Sequence, residues 1–115
     1  MTIRFETMPP STNHIYGRGS RGVYMFESVR QAKDAIGWEA RSQYHGEPLE
    51  GPLAVKIDLY WPDRRKHDID NIKVLLDALT GILWVDDGQI VELSLTKRYD
   101  KENPGVMLGF GASRF

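Results

Sequence analysis

Apolar and polar residues alternate with period two in four stretches of the chain and recur with helical spacing in two others. Between Leu53 and Trp61, Leu53, Val55, Ile57, Leu59 and Trp61 alternate with Ala54, Lys56, Asp58 and Tyr60, the pattern of a strand with one buried face. Pro62 ends it, because proline has no N–H to give to a ladder. Thr2 to Glu6 places Ile3 and Phe5 on one side of a shorter strand, stopped by Met8-Pro9-Pro10-Ser11. After Asp87-Gly88, residues Val91, Leu93 and Leu95 alternate with Glu92, Ser94 and Thr96. Lys101 to Gly105 reads as a turn, and Val106, Leu108 and Phe110 as a last strand.

Helical spacing comes first at Ser28. Ser28 and Gln31 are set apart as in a capping box, and Val29, Ala32, Ile36 and Ala40 form an apolar stripe. Gly37 weakens this helix by about 1 kcal/mol relative to alanine. The helix is expected to end near Tyr44, before His45-Gly46-Glu47-Pro48. In the second helix Ile72, Leu75, Leu76 and Leu79 fall at i, i+3, i+4 and i+7, with Gly81 at the C-cap. Its expected span is roughly Asn71 to Thr80. About four strands and two helices in this order predict an α+β domain over residues 1–115, with a small, mostly antiparallel or mixed sheet carrying both helices on one face. There are too few βα units for a doubly wound parallel sheet.

Composition narrows the classes of function. The chain has 115 residues, 41% of them hydrophobic, enough for one packed core. No apolar run reaches the roughly 18 residues of a membrane span, and the N-terminus lacks the charged-then-apolar pattern of a signal peptide. With no cysteine, disulfides, thiolate zinc sites and cysteine nucleophiles are excluded. The cytoplasm is the default location. A net charge of −1 argues against a simple nucleic-acid coat protein. The charge is unevenly spread, however: Arg64-Arg65-Lys66 precede an acidic pair, Arg18 and Arg21 lie in a glycine-rich segment, and Lys97-Arg98 ends a strand.

That glycine-rich segment, Gly17 to Gly22, matches GxGxxG in letters only. A dinucleotide fingerprint needs a strand before it and a helix after it. Here Pro9-Pro10 precede and the strand-like Val23-Tyr24-Met25-Phe26 follow. Two readings stay open: a surface loop, or an arm whose Arg18 and Arg21 touch phosphates.

The chemistry concentrates between His67 and Asp87. Asp68 and Asp70 open the second helix, and the adjacent Asp86 and Asp87 follow it. If the chain folds these acids together, they form an oxygen-rich site for a hard divalent cation, suited to phosphodiester hydrolysis. Each acid also has a plain structural explanation. Asp70 or Asn71 can cap the helix, Asp87-Gly88 can make a type I′ hairpin turn, and Asp77 can pair with Lys73. An EF-hand is excluded by spacing, since Ile72, Lys73 and Leu79 stand where ligands and the invariant glycine belong. His67 is a candidate base, set against a surface or supporting role.

The combination is more specific than its parts. HDIDNIK followed by LLDALTGILWVDDGQIVELSLTK resembles the RusA family of Holliday-junction resolvases, and PPSTNHIY is similar to that family's entry segment. The resemblance covers most of the chain. It implies a small homodimer that cuts four-way DNA junctions with Mg²⁺, Mn²⁺ being a possible substitute, by paired symmetric nicks. It implies Asp68, Asp70 and Asp87 as metal-binding acids, with Asp86 beside them, and Lys73 as the catalytic lysine. In the commoner pattern that lysine lies four residues after the second aspartate and the helix aspartate eight after. Here the intervals to Lys73 and Asp77 are three and seven. This rotates Lys73 by about 100° on an ideal helix and makes Lys97 a possible substitute or supplement. Candidate DNA contacts are Arg64, Arg65, Lys66, Arg18, Arg21 and Lys97. The alternatives are a nuclease for other branched DNA and a non-catalytic junction-binding protein of the same fold. The resemblance also implies a phage or prophage origin.

Overall fold

The computed structural model describes residues 1–9, 16–19, 22–25, 27–64 and 72–114, with backbone alone at 16–19, 22–25 and 28. The elements are β1 (Thr2–Phe5), β2 (Tyr16–Gly19), β3 (Gly22–Met25), α1 (Glu27–Gln43), β4 (Leu53–Trp61), α2 (Ile72–Leu79), a 3₁₀ turn (Asp87–Gln89), β5 (Ile90–Tyr99) and β6 (Gly105–Ala112). Four strands form a mixed sheet in the order β1-β6-β4-β5, so the α+β expectation holds.

β4 sets the frame. Leu53, Val55, Ile57 and Leu59 are buried on one face, as their alternation requires. β6 runs antiparallel to β4, with Ile57 opposite Leu108, and β1 runs antiparallel to β6. Ile3, Phe5, Ile36, Ala40, Leu75, Leu79, Leu83 and Trp84 complete the core with these strands. Phe110 is its aromatic hub, meeting the Tyr44 and Trp84 rings edge-on at 5.8 and 6.2 Å.

Three local expectations change. β5 lies parallel to β4, with Ile57 beside Leu95, so Asp87-Gly88 is a 3₁₀ turn at the head of a strand and not a hairpin. Parallel neighbours need a crossover, and α2 lies within the one that joins β4 to β5. The glycine-rich segment read as loop or arm contributes β2 and β3, which pair antiparallel with Gly19 opposite Gly22. In α2 the fully buried residues are Val74, Leu75 and Leu79, whereas Ile72 and Leu76 are half-buried. The buried arc is thus turned toward Val74, on a helix that packs against α1 as well as the core.

Two glycines are demanded by backbone shape. Gly81 follows α2 at φ +89°, the left-handed conformation of a helix C-cap. Gly105 begins β6 at φ +148°, where an added Cβ would lie 2.4 Å from the Phe5 carbonyl oxygen. The preceding turn is shaped by Asp100, whose Oδ1 accepts from the Glu102 and Asn103 backbone N–H groups at 3.1 and 3.0 Å.

Candidate active site

The turn that carries Asp86 and Asp87 is anchored by a buried tryptophan. Trp84 is fully buried, and its indole Nε1 donates to Thr80 Oγ1 at 3.2 Å, while that hydroxyl donates to the Leu76 carbonyl at 3.0 Å. The Gly81 N–H donates to the Trp84 carbonyl at 2.7 Å, closing the turn after α2. The neighbouring backbone joins the Leu49 segment, with Leu49 N–H to the Leu83 carbonyl at 2.9 Å and Val85 N–H to the Leu49 carbonyl at 3.3 Å. Apolar burial at Leu83 and Trp84 therefore fixes where the chain emerges at Asp86.

Gln89 then locks the acidic turn. Its Oε1 accepts from the Asp86 N–H at 2.8 Å, and its Nε2 donates to the Leu49 and Gly51 carbonyls at 3.0 and 2.9 Å. The Gln89 N–H donates back to the Asp86 carbonyl at 3.1 Å. The backbone of the turn is thus tied on both sides, while the Asp86 and Asp87 residues are exposed. Gly88 leaves room for one of the two carboxylates: an added Cβ would lie 2.9 Å from Asp86 Oδ2. Hydrophobic periodicity and charge alone pass over Gln89. Its signal was present as Asp86-x-x-Gln89, an acceptor followed three residues later by glutamine.

Two adjacent, exposed carboxylates on a fixed turn suit a hard cation, which takes oxygen ligands and keeps part of its water shell. Among the described residues, no group of three or more histidine, aspartate or glutamate side chains comes together. The expected partners Asp68 and Asp70 lie outside the described residues, as do His67, Arg65, Lys66 and Arg21. Arg18 falls in β2, where the backbone alone is described.

The remaining candidates are placed singly. Lys73 is exposed in the first turn of α2. Asp77 pairs with Lys33 of α1 at 3.8 Å rather than with Lys73. The Arg64 guanidinium sits 4.4 Å from the centre of the Tyr99 ring, a cation–π contact. Lys97 is exposed on β5, in register with Leu59, at the end of the sheet away from Asp87.

Comparison with known proteins supplies the context. Residues 6–109 match the family model described as Endodeoxyribonuclease RusA. The chain belongs to the RusA family. A relative from Escherichia coli K12, named crossover junction endodeoxyribonuclease RusA, is 35% identical over 92 residues, covering 77% of this chain and 76% of the relative. A protein of the same name from Enterobacteria phage 82 matches to the same extent. The relative from Aquifex aeolicus, again a crossover junction endodeoxyribonuclease RusA, is 32% identical over 104 residues, 88% of this chain and 81% of the relative. The RusA match spans every element from α1 to β5, so the turn bearing Asp86 and Asp87 lies well inside it. No helix among the described residues is long and apolar enough to cross a membrane.

Proposed function

We propose that this protein is an endodeoxyribonuclease that cuts four-way DNA junctions by paired, symmetric nicks with the help of Mg²⁺, for which Mn²⁺ can substitute. The observation that carries the reading is the exposed Asp86–Asp87 pair on a turn fixed by Trp84 and Gln89, inside a chain of the RusA family. Asp86 stands in a capping box with Gln89, which gives it a structural task, but Asp87 has no such task in the turn. The turn has an obvious purpose as half of a cation site, with Asp68 and Asp70 supplying the rest.

In this reading Asp68, Asp70 and Asp87 hold the cation and Asp86 supports them. When bound, Mg²⁺ supplies Lewis acidity toward the scissile phosphate. The chain's own contribution is to orient the carboxylates and to place a cation, Lys73, where charge builds on the phosphate. Arg64, Arg65, Lys66, Arg18, Arg21 and Lys97 contact DNA backbone, which positions the junction without reading sequence. Two copies related by a two-fold axis would present two sites for the two nicks. One residue fewer between Asp70 and Lys73 than in the commoner pattern favours a second reading, a junction-binding protein without catalysis.

The deciding experiment is cleavage of a synthetic four-way junction in Mg²⁺ by wild type and Asp87→Asn. Paired nicks by wild type, with binding but no cutting by the variant, are expected. Wild type that binds the junction and never cuts it in Mg²⁺ or Mn²⁺ would overturn the enzymatic reading in favour of the binding one.

A further inference from the structure

Because β4 and β5 run parallel, both strands finish at the same end of the sheet, with Trp61 in register with Tyr99. The Asp100 N–H donates to the Trp61 carbonyl at 2.8 Å and ties the two strand ends together. Asp100 Oδ1 then accepts from the Glu102 and Asn103 N–H groups, so the backbone at Tyr99 is held on both sides. Arg64 lies three residues past the end of β4, beyond Pro62. An antiparallel β5 would have carried Tyr99 to the other end of β4. The parallel crossover is what brings Arg64 and Tyr99 together.

The ring is not there to fill the core. Tyr99 is 43% exposed and stands outside the cluster of buried residues. What it does meet is the Arg64 guanidinium, whose central carbon sits 4.4 Å from the ring centre. Arg64 is itself exposed, and among the described residues no hydrogen bond or ion pair takes up its N–H donors. Two other arginines of the sheet commit theirs within the chain. Arg98 Nε donates to Asp58 Oδ1 at 3.0 Å, and Arg4 Nη2 donates to the Asn103 and Pro104 carbonyls at 3.2 and 3.0 Å. A carboxylate or carbonyl holds an arginine by occupying its donors. An aromatic face holds the cation by its quadrupole and leaves the donor fork open.

We propose that Tyr99 is a positioning residue for DNA binding: its ring holds the Arg64 guanidinium so that the open fork takes a backbone phosphate of a junction arm. The inference rests on the junction-nuclease reading and adds to it a residue with no charge of its own. A guanidinium suits a phosphate because its paired N–H groups match two phosphate oxygens. Held in advance, the long side chain has less freedom left to lose when the phosphate arrives. Tyr99 is nine residues along β5 from Ile90, which follows the acidic turn, a distance of about 30 Å. The phosphate taken here is therefore not the one cut at Asp87 of the same chain. The pair acts on affinity and leaves the chemical step alone.

Binding of a labelled synthetic four-way junction, followed by fluorescence anisotropy in EDTA, tests this without cleavage. Tyr99→Leu is expected to weaken binding about three- to tenfold, while Tyr99→Phe, which keeps the ring, binds as wild type does. Arg64→Ala is expected to weaken binding at least as much and to lower the slope of log affinity against log salt by about 0.9. In the Arg64→Ala background, Tyr99→Leu is expected to add nothing, because the ring then has no cation to hold. Single-turnover cutting at saturating enzyme is expected to be the same in all of these proteins. Should Tyr99→Leu lose its circular dichroism, Arg64→Lys decides: a merely charged loop residue tolerates lysine, whereas a stacked fork loses affinity although the charge remains. Wild-type affinity in a folded Tyr99→Leu, or in Arg64→Lys, overturns the proposal. So does a Tyr99→Leu effect that persists without Arg64, since the ring would then act on its own, and so does Tyr99→Phe binding as poorly as Tyr99→Leu. The nuclease reading fails separately: a protein that binds the junction through this pair and never cuts it in Mg²⁺ or Mn²⁺ overturns the enzyme and keeps the pair. Wild type that binds no junction overturns both.

Discussion

The Gln89 side chain accepts the Asp86 N–H at 2.8 Å and donates to the Leu49 and Gly51 carbonyls at 3.0 and 2.9 Å. One neutral amide thus holds the backbone of the acidic turn against the segment entering β4, using neither carboxylate in the process. With Asp86 in the capping box opposite Gln89, Asp87 is the carboxylate of the pair left to present charge alone.

Gln89→Ala removes three hydrogen bonds from a half-buried side chain. With each worth about 0.5–1.5 kcal/mol net, and water able to replace part of them at this surface, the expected loss of stability is about 1–2 kcal/mol. Junction cleavage should fall further than stability accounts for, because the Asp86–Asp87 backbone loses its tether. Urea unfolding gives the first quantity and kcat/KM under conditions of full folding gives the second. A cleavage rate unchanged in a folded variant would mean that the turn keeps its shape without Gln89.

Cation binding should also appear without any DNA. A ligand that binds only the folded chain stabilises it by about 1.4 kcal/mol at ten times its dissociation constant. Mg²⁺ is therefore expected to raise the melting temperature of wild type and to leave Asp86→Asn/Asp87→Asn unmoved. Both residues are exposed, and asparagine keeps a side-chain oxygen that can accept in the capping box of Asp86 with Gln89, so the double variant should fold normally. Differential scanning calorimetry with and without Mg²⁺ reads both effects. Equal shifts in the two proteins would place the cation elsewhere.

Gly105 is the position least open to change. Gly105→Ala must accommodate both φ +148° and a Cβ 2.4 Å from the Phe5 carbonyl oxygen, which belongs to backbone of the adjacent strand. Separation of β1 from β6 is the only relief, and a loss above about 2 kcal/mol is expected. Gly81→Ala, at φ +89° with open space around it, should cost closer to about 1 kcal/mol. Equilibrium unfolding of the two variants side by side checks the order, which strain from φ alone would not produce.

The elements that the sequence made legible were those in which one periodicity met one buried face. β4, β6 and α1 bury the residues their patterns chose, apart from Ala32 and Trp61, which are half-buried. Strand direction was not legible. The alternation of Val91, Leu93 and Leu95 is the same for a strand running either way, and Asp-Gly suggested a hairpin where α2 instead delivers the chain parallel to β4. The same alternation suggested a buried face that β5 lacks, because an edge strand carries its pattern whether or not anything covers it. In α2 the stripe at i, i+3, i+4 and i+7 passed over Val74, since a helix that packs against two neighbours has no single apolar side. Asp86 and Asp87 stood out as residue types, but only the structure shows that Gln89 and Trp84 aim them.

The two candidate lysines are separated by the fold, and this yields a distinct expectation for each. Lys73 lies in the first turn of α2, immediately after the segment that carries Asp68 and Asp70. Lys97 lies on β5 beside Leu59, and at about 3.3 Å per residue it is roughly 23 Å along the strand from Ile90, next to the acidic turn. A lysine that far away cannot meet a phosphate held by Asp87 of the same chain, although it can meet a more distant phosphate of a bound arm. Lys73→Ala is therefore expected to lower the single-turnover cutting rate by about 10²–10³-fold at saturating enzyme, as loss of a charge-stabilising donor does. Lys97→Ala is expected to leave that rate unchanged, weaken junction binding, and reduce the slope of log affinity against log salt by about 0.9. Rapid-quench cleavage and a salt series of binding titrations distinguish the two. If Lys97→Ala abolished cutting while binding held, the assignment of the lysines would be reversed, and a second chain would have to bring Lys97 to the acidic turn.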